Sequence, residues 1–440
     1  MNVKPCASSN RPTCWKEINF NIAKGSVKKL QKRIYAACSQ GNAGKVETLT
    51  NLMMHSFYAK VCAIQHVCSA RGKKTAGVDG IRWLNDEDKF NAIDTLRQRG
   101  YKPSPLKRVC VKKPDGGYRV LGIPTMKDRA IQTLYKFALE PVAEFFSDEH
   151  SYGFRHEHSV KKAILHLENE LSKHPEWELM LKTDVESCFD NISHEWLMEH
   201  IPVNVKLLHK IIKSGFVEKG NWYPTNKGVP QGGSVSSVIC NLTLDGLEDV
   251  CTDIRDDRCS PVRGTDNRCS LVRGTDIRCS PIHMIRYADD ILMYPIGDME
   301  FMKAVIPVID NFLSERGLCL SAKKTSLSDI KNGIVFLGWE ISKQNGMIQC
   351  VPSQKAIKSL FGKVHKIVLN EGCFSEKLVK QKLKCLIRGW LSFYSIATYP
   401  SLRDVEFDLV KFMSQVTGNR ELLKYIQNLF VTIQDPVIQR

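Results

Sequence analysis

Apolar positions recur every three to four residues through the first part of the chain. Val27, Leu30 and Ile34 form one stripe, and Val46, Leu49, Met53 and Phe57 form another, so two amphipathic helices are predicted. Ser26 is placed to cap the first, and the stretch from Gly41 to Gly44 separates it from the second. From residue 102 the pattern changes. Val109, Val111, Tyr118 and Val120 flank Pro114-Asp115-Gly116-Gly117, which predicts a β-hairpin. A helix is predicted over 129–146. Leu179, Leu181, Thr183 and Val185 then alternate with Met180, Lys182 and Asp184, the two-residue period of a strand. Helices are predicted over 195–200 and 237–250. Beyond residue 353 the helical period returns at Ile357, Phe361, Val364 and Val368, and a further helical stretch covers 375–394.

One segment follows neither period. Arg258-Cys259-Ser260-Pro261-Val262-Arg263-Gly264-Thr265-Asp266 recurs, slightly altered, from Arg268 and begins again at Arg278. A repeat this short is far below solenoid length. Its Gly, Pro, Ser, Thr and Asp content predicts a duplicated surface loop or an extended hairpin over 256–282. Cys259, Cys269 and Cys279 could bind a metal, but loop expansion is the simpler reading.

Composition narrows the function. The 440 residues are 43% hydrophobic and 25% charged, enough for a large core and two or three domains. No run of 18 or more apolar residues is present, so no membrane span is expected. Residues 1–20 are polar, with Pro5 and Pro12, and lack the apolar centre of a signal peptide, which makes a cytoplasmic location the expectation. The net charge of +16 points to a polyanionic partner. Basic residues gather in 24–33, 102–113 and 355–384, and three separated segments suit a long groove. The basic N-terminal helices have two readings, a nucleic-acid-facing appendage or packing on a neighbouring domain. The 16 cysteines include no Cys-x-x-Cys pair, and His156 and His158 lack cysteines at zinc spacing. Reduced, partly buried thiols are expected.

The candidate chemistry lies in two acidic places. Asp289 and Asp290 sit between the apolar runs Met284-Ile285 and Ile291 to Tyr294, which predicts a strand–turn–strand with the acids at its tip. Alone, two aspartates in a turn are simply a turn. Asp184, however, ends a separate strand and is followed by Cys188-Phe189-Asp190. Nucleotidyl transfer uses two divalent ions about 4 Å apart, and carboxylates from two strands can bridge such a pair. Oxygen donors of this kind favour Mg²⁺, with Mn²⁺ as a substitute.

Tyr287-Ala288-Asp289-Asp290 resembles the catalytic box of reverse transcriptases. The surrounding motifs resemble the group II intron type and its free-standing bacterial relatives. They run in order: Lys73-Lys74-Thr75-Ala76-Gly77-Val78-Asp79-Gly80, Arg119-Val120-Leu121-Gly122-Ile123-Pro124-Thr125, Lys127-Asp128-Arg129 and Ser151-Tyr152-Gly153-Phe154-Arg155. Asp184 through Asn191, Gly228-Val229-Pro230-Gln231-Gly232-Gly233-Ser234, Leu320-Ser321-Ala322-Lys323-Lys324-Thr325 and Phe336-Leu337-Gly338-Trp339 complete the set. Together they extend from about residue 15 to about residue 400.

The resemblance implies an RNA-directed DNA polymerase of α+β class. Its right-hand architecture would comprise an antiparallel β palm, mixed fingers, a helical N-terminal extension and a helical thumb. The N-terminal extension would be 1–75, the fingers and palm 76–345, and the thumb or maturase-like region 346–440. Asp184 and Asp289 would bridge both metal ions, Asp290 would support them, and the Val185 carbonyl would complete a shell. Phe189 would be the steric gate against a 2′-hydroxyl, although a core aromatic is its alternative. Lys112 and Arg119 would grip the triphosphate, or else form a solvated hairpin face, and Lys113 could replace Lys112. Gln231 and Gly232 would lie near the templating base and the nucleotide, with a purely structural role for the Pro230-Gln231-Gly232-Gly233 turn as the alternative. Arg155, Lys324, Gly338 and Trp339 would contact template or primer, with a core role open for Trp339. The implied partners are an RNA template, a DNA primer and product, and dNTPs.

Some positions depart from the family. His156-Glu157-His158-Ser159 stands where Pro-Gly-Arg-Ser is common, and Ser236-Ser237 where Ser-Pro is usual. No HNH-type Cys/His set is found. The expectation is a free-standing enzyme copying a dedicated non-coding RNA, with antiphage defence as one duty. A group II intron maturase that mainly aids splicing is the alternative. An RNA-dependent RNA polymerase is a weaker one, because Ala288 and Phe189 argue against it.

Overall fold

The first predicted helix begins earlier than Ser26. Ala23 already belongs to the buried stripe that continues through Val27, Leu30, Ile34 and Ala37, so the helix must start before it. It spans Phe20–Ser39, and Asn19 caps it by accepting the backbone N–H groups of Asn21 and Ile22. Phe57 likewise leaves the second stripe. Ser56 ends the helix Ala43–His55 and caps a third, Phe57–Ser69.

This computed structural model describes residues 12–112, 116–254, 282–369, 375–398 and 401–434, without the side chains of Arg119 and 432–434. Lys113, Pro114 and Asp115 at the predicted hairpin tip, and the decapeptide repeat, lie outside them. The strands are β1 (Leu106–Lys112), β2 (Tyr118–Ile123), β3 (Leu179–Asp184), β4 (Phe216–Glu218), β5 (Asn221–Tyr223), β6 (His283–Tyr287), β7 (Asp290–Tyr294), β8 (Ser326–Asp329), β9 (Ile334–Phe336), β10 (Trp339–Gln344) and β11 (Met347–Pro352). The fold is α+β. Its chain forms two compact units, one of Met1–Glu149, Val185–Asp249 and Ile309–Leu320, the other of His150–Asp184, Val250–Val308 and Ser321–Arg440.

In the first unit the three N-terminal helices pack on the helix Met126–Phe146. Gln31 reinforces this by donating from Nε2 to the Phe137 carbonyl at 3.2 Å and to Glu140 at 3.2 Å. Their apolar faces are therefore used in packing, and each fully buried Leu or Ile there contributes roughly 1.5–3 kcal/mol. The sheet has order β2-β1-β4-β5; β1 and β2 form the predicted hairpin, while β1 and β4 run parallel. The helix predicted over 237–250 is two helices, Ser236–Leu244 and Leu247–Asp253. Gly246, at φ 90°, takes the left-handed turn that divides them.

The second unit carries an antiparallel sheet of order β6-β7-β3-β8 and a smaller one of order β11-β10-β9. Ile164, Leu167 and Leu171 of the helix Val160–Lys173 join Met180, Ile285, Leu292 and Trp339 in one core. A second core forms among the helices Gln354–Leu369, Glu376–Phe393, Ser401–Ser414 and Arg420–Gln434, centred on Val364, Leu383, Ile387, Leu409 and Ile426. Among the described residues no helix is long and apolar enough to cross a membrane.

Candidate active site

The acids are positioned by strand pairing. β6 and β7 are joined by Ala288 and Asp289, with Tyr287 paired to Asp290. Ala288 has φ 58°, the left-handed conformation that a tight hairpin loop demands. β7 also pairs with β3, and in that register Asp184 is opposite Asp290. Residues paired in this way project to the same face of a sheet. Asp289, which the resemblance joins with Asp184 in bridging the metal ions, lies in the adjoining turn between β6 and β7.

The two carboxylates repel. Burial, then Asp289, then Asp184 push the Asp290 carboxyl up to about 6. Asp184 is only 6% exposed, and its Oδ2 accepts a hydrogen bond from Lys324 Nζ at 2.7 Å. That bond and the neighbouring acids hold the Lys324 ammonium above its ordinary pKa. Lys324, expected near a primer, is thus part of the acid cluster.

The position of Lys324 has a local cause. The Ser321 N–H donates to the Asp184 carbonyl at 2.8 Å, and Ser321 in turn accepts from Lys324 and Thr325. Thr325 Oγ1 also lies 2.7 Å from Thr183 Oγ1 in β3. Ser321, Thr183 and Thr325 therefore set the cation, and nothing in their spacing announced it. Gly153 is a second supporting residue. A Cβ there would collide with the backbone N of Ala288, so glycine permits the chain to lie directly on the turn that carries Asp289. Tyr152 N–H donates to the Arg286 carbonyl at 2.7 Å, fixing that approach.

The donors suit a hard divalent cation in kind, being carboxylate oxygens gathered closely enough that the charges of Asp289 and Asp184 help raise the pKa of Asp290. Among the described residues, no three His, Cys, Asp or Glu side chains converge closely enough to hold an ion as they stand. Asp184 instead faces Lys324. Val185 follows Asp184 and bridges Leu320 in an antiparallel contact.

The other predicted residues fall in two groups. In the second unit Arg155 is half-buried and donates from Nη1 to the Ser151 carbonyl at 2.8 Å. Leu337 and Gly338 form the turn between β9 and β10, at φ 50° and 87°. The Gly338 carbonyl accepts from the Tyr394 hydroxyl at 3.1 Å. Trp339 corrects the primer-contact expectation. It is 0% exposed, with its ring 4.7 Å from that of Tyr394, so its side chain is core.

In the first unit Phe189 and Gln231 line one cavity of about 400 Å³, together with Arg108, Val120, Asp190 and Phe216. Gln231 Nε2 donates to Asp190 Oδ2 at 3.0 Å. Phe189 is half-buried there, on the short helix Cys188–Asn191. Gly232 lies against the Gly122 carbonyl of β2, where a Cβ would not fit. Lys112 is exposed at the end of β1. Arg119 pairs with Val111 through its backbone, and its side chain lies outside the described atoms.

The family model for reverse transcriptase (RNA-dependent DNA polymerase) matches residues 111–341, and that for the N-terminal domain of reverse transcriptase matches residues 15–96. The chain belongs to the reverse transcriptase family. Protein YkfC of Escherichia coli is 28% identical over 322 residues, 66% of this chain and 83% of YkfC. Maturase-like protein 1 of Euglena gracilis is 26% identical over 393 residues, 87% of this chain and 77% of its own. The group II intron-encoded protein LtrA of Lactococcus lactis is 31% identical over 214 residues, 46% of this chain and 35% of LtrA.

Proposed function

We propose that this reverse transcriptase joins dNTPs to the 3′-hydroxyl of a primer on an RNA template, using Asp184, Asp289 and Asp290. The observation that carries the reading is the β3–β7 register, which sets Asp184 opposite Asp290 with Asp289 in the adjoining turn. When bound, Mg²⁺ or Mn²⁺ supplies positive charge to the attacking oxygen and the triphosphate. Asp184, Asp289, Asp290 and the Val185 carbonyl would hold it. Lys324 neutralises Asp184, and its 61% exposed side chain is free to turn toward primer phosphate. Lys112 and Arg119 would bind the triphosphate, where charge accumulates in the transition state. Phe189 would exclude a 2′-hydroxyl, while Gln231 and Gly232 would border the templating base. Arg155 and the Leu337-Gly338 turn would follow template and primer.

The template in this reading is a dedicated RNA, either an intron or a compact non-coding RNA, copied in the cytoplasm. Intron mobility and antiphage defence are the two duties that fit it. A second reading, splicing assistance, is favoured by the separate C-terminal helical core and by the maturase-like relative. A double variant, Asp289→Ala with Asp290→Ala, distinguishes them. Loss of DNA synthesis together with the biological output supports the polymerase reading, whereas splicing that survives without synthesis supports the other. Sequencing the nucleic acid that co-purifies with the chain identifies the template.

A further inference from the structure

We infer that His194 is a positioning residue for sugar selection, holding the backbone of Phe189 through the peptide that joins Gly228 to Val229. This rests on the proposed role of Phe189 as the gate.

His194 is 5% exposed and opens the helix His194–His200, which Ser193 caps. Its Nε2 lies 2.7 Å from the Gly228 carbonyl. A carbonyl can only accept, so the proton is on Nε2. Nδ1 is buried and has no hydrogen-bond partner among the described residues. Burial pushes the imidazole pKa down, which keeps the ring neutral.

The other end of the same peptide meets the gate. Val229 N–H donates to the Phe189 carbonyl at 2.6 Å. In a planar trans peptide the C=O and N–H point in opposite directions. His194 and Phe189 therefore hold one rigid plane from opposite sides. Losing the His194 bond frees that plane to rotate and loosens the carbonyl of Phe189.

Two further contacts make the arrangement tight. Gly228 N–H donates to the Ile192 carbonyl at 2.8 Å. Gly228 has φ 80°, and a Cβ there would lie 2.5 Å from the Asp190 carbonyl oxygen and 2.8 Å from that of Phe189. The loop backbone thus rests directly on the helix bearing Phe189. Gln231, three residues further, returns to Asp190 from the same cavity. A steric gate discriminates by contact, so a small displacement of Phe189 relaxes it while leaving the acids untouched.

The test is the ratio of kcat/KM for a dNTP to that for the matching rNTP, measured on the full chain. Phe189→Ala, His194→Ala, His194→Asn and His194→Gln are compared with the parent. Gln places an amide N–H near the original Nε2, whereas the shorter Asn cannot. His194→Ala and His194→Asn are expected to lower discrimination by roughly three- to tenfold, the worth of about one hydrogen bond. His194→Gln is expected to retain it. Unchanged discrimination in His194→Ala and His194→Asn, beside a clear fall in Phe189→Ala, overturns the positioning role and leaves the gate standing. Unchanged discrimination in Phe189→Ala overturns the gate itself, and this inference with it. Should His194→Ala fail to fold by circular dichroism, the Asn and Gln pair decides the matter alone.

Discussion

Asp184 and Asp290 are directly paired across β3 and β7, so two carboxylates from distant parts of the chain share one face of one sheet. Like charges held this way destabilise the fold unless a cation intervenes. Lys324 supplies one at 2.7 Å from Asp184. The proposed function and stability are therefore opposed at this point.

Asp290→Asn is expected to abolish incorporation and yet stabilise the metal-free chain. The carboxyl sits at about 6 in the fold against an ordinary 3.8. Between those values the folded chain retains a proton that the unfolded chain has lost. The stability this contributes is complete below pH about 4 and is lost as pH rises to about 6. Removing the charge should recover about 1 kcal/mol at neutral pH, after discounting for partial exposure. Thermal melts in EDTA at pH 4 and pH 7 measure this. A variant that is less stable than the parent at pH 7 contradicts the repulsion.

Lys324→Ala is expected to act in the opposite sense. It leaves Asp184 without its cation, so the metal-free chain should melt at lower temperature. A competitor for the carboxylate is removed as well, so half-saturation by Mn²⁺ should occur at lower concentration. Calorimetric titration with Mn²⁺ checks the second point, and weaker Mn²⁺ binding counts against competition.

These relationships were unequally legible in the sequence. The Asp289-Asp290 hairpin could be read from the apolar runs on either side, and the strand of Asp184 from its alternation, because both signals are local. The Lys324–Asp184 pair joins residues 140 positions apart and has no local signature. Gly153 was visible only as part of a motif, since its use depends on how closely it approaches Ala288. Ser26 is a cap by residue type alone, whereas the buried stripe begins at Ala23 and places the cap at Asn19. Trp339 shows the limit of motif reasoning, for the residues around it resemble a primer turn while its ring is enclosed by core.

Trp339→Ala should destabilise the second unit by about 3–5 kcal/mol, the cost of a large core cavity, and Trp339→Phe by much less. Urea denaturation followed by far-ultraviolet circular dichroism gives the difference. A fully stable Trp339→Ala with weakened primer binding restores the contact role.

Acid should weaken the fold through histidines that it withdraws from water. Burial of His194 and partial burial of His166 lower the pKa of each. The unfolded chain then binds more protons, so stability is full above the ordinary histidine pKa of about 6.5 and declines as pH falls below it. His194→Gln should flatten part of that decline. Denaturation midpoints at pH 7.5, 6.5 and 5.5, values chosen to bracket the histidine range at about 6.5, measure it, and an identical slope in the variant removes His194 from the account.

The most direct test is primer extension with dNTPs on a primed RNA template in Mg²⁺, comparing the parent chain with Asp184→Asn. Template–primer binding is measured in parallel. The account predicts extension by the parent and a fall of at least roughly a hundredfold in the variant, with binding retained. Full extension by Asp184→Asn would contradict the assignment of the paired acids as the catalytic centre.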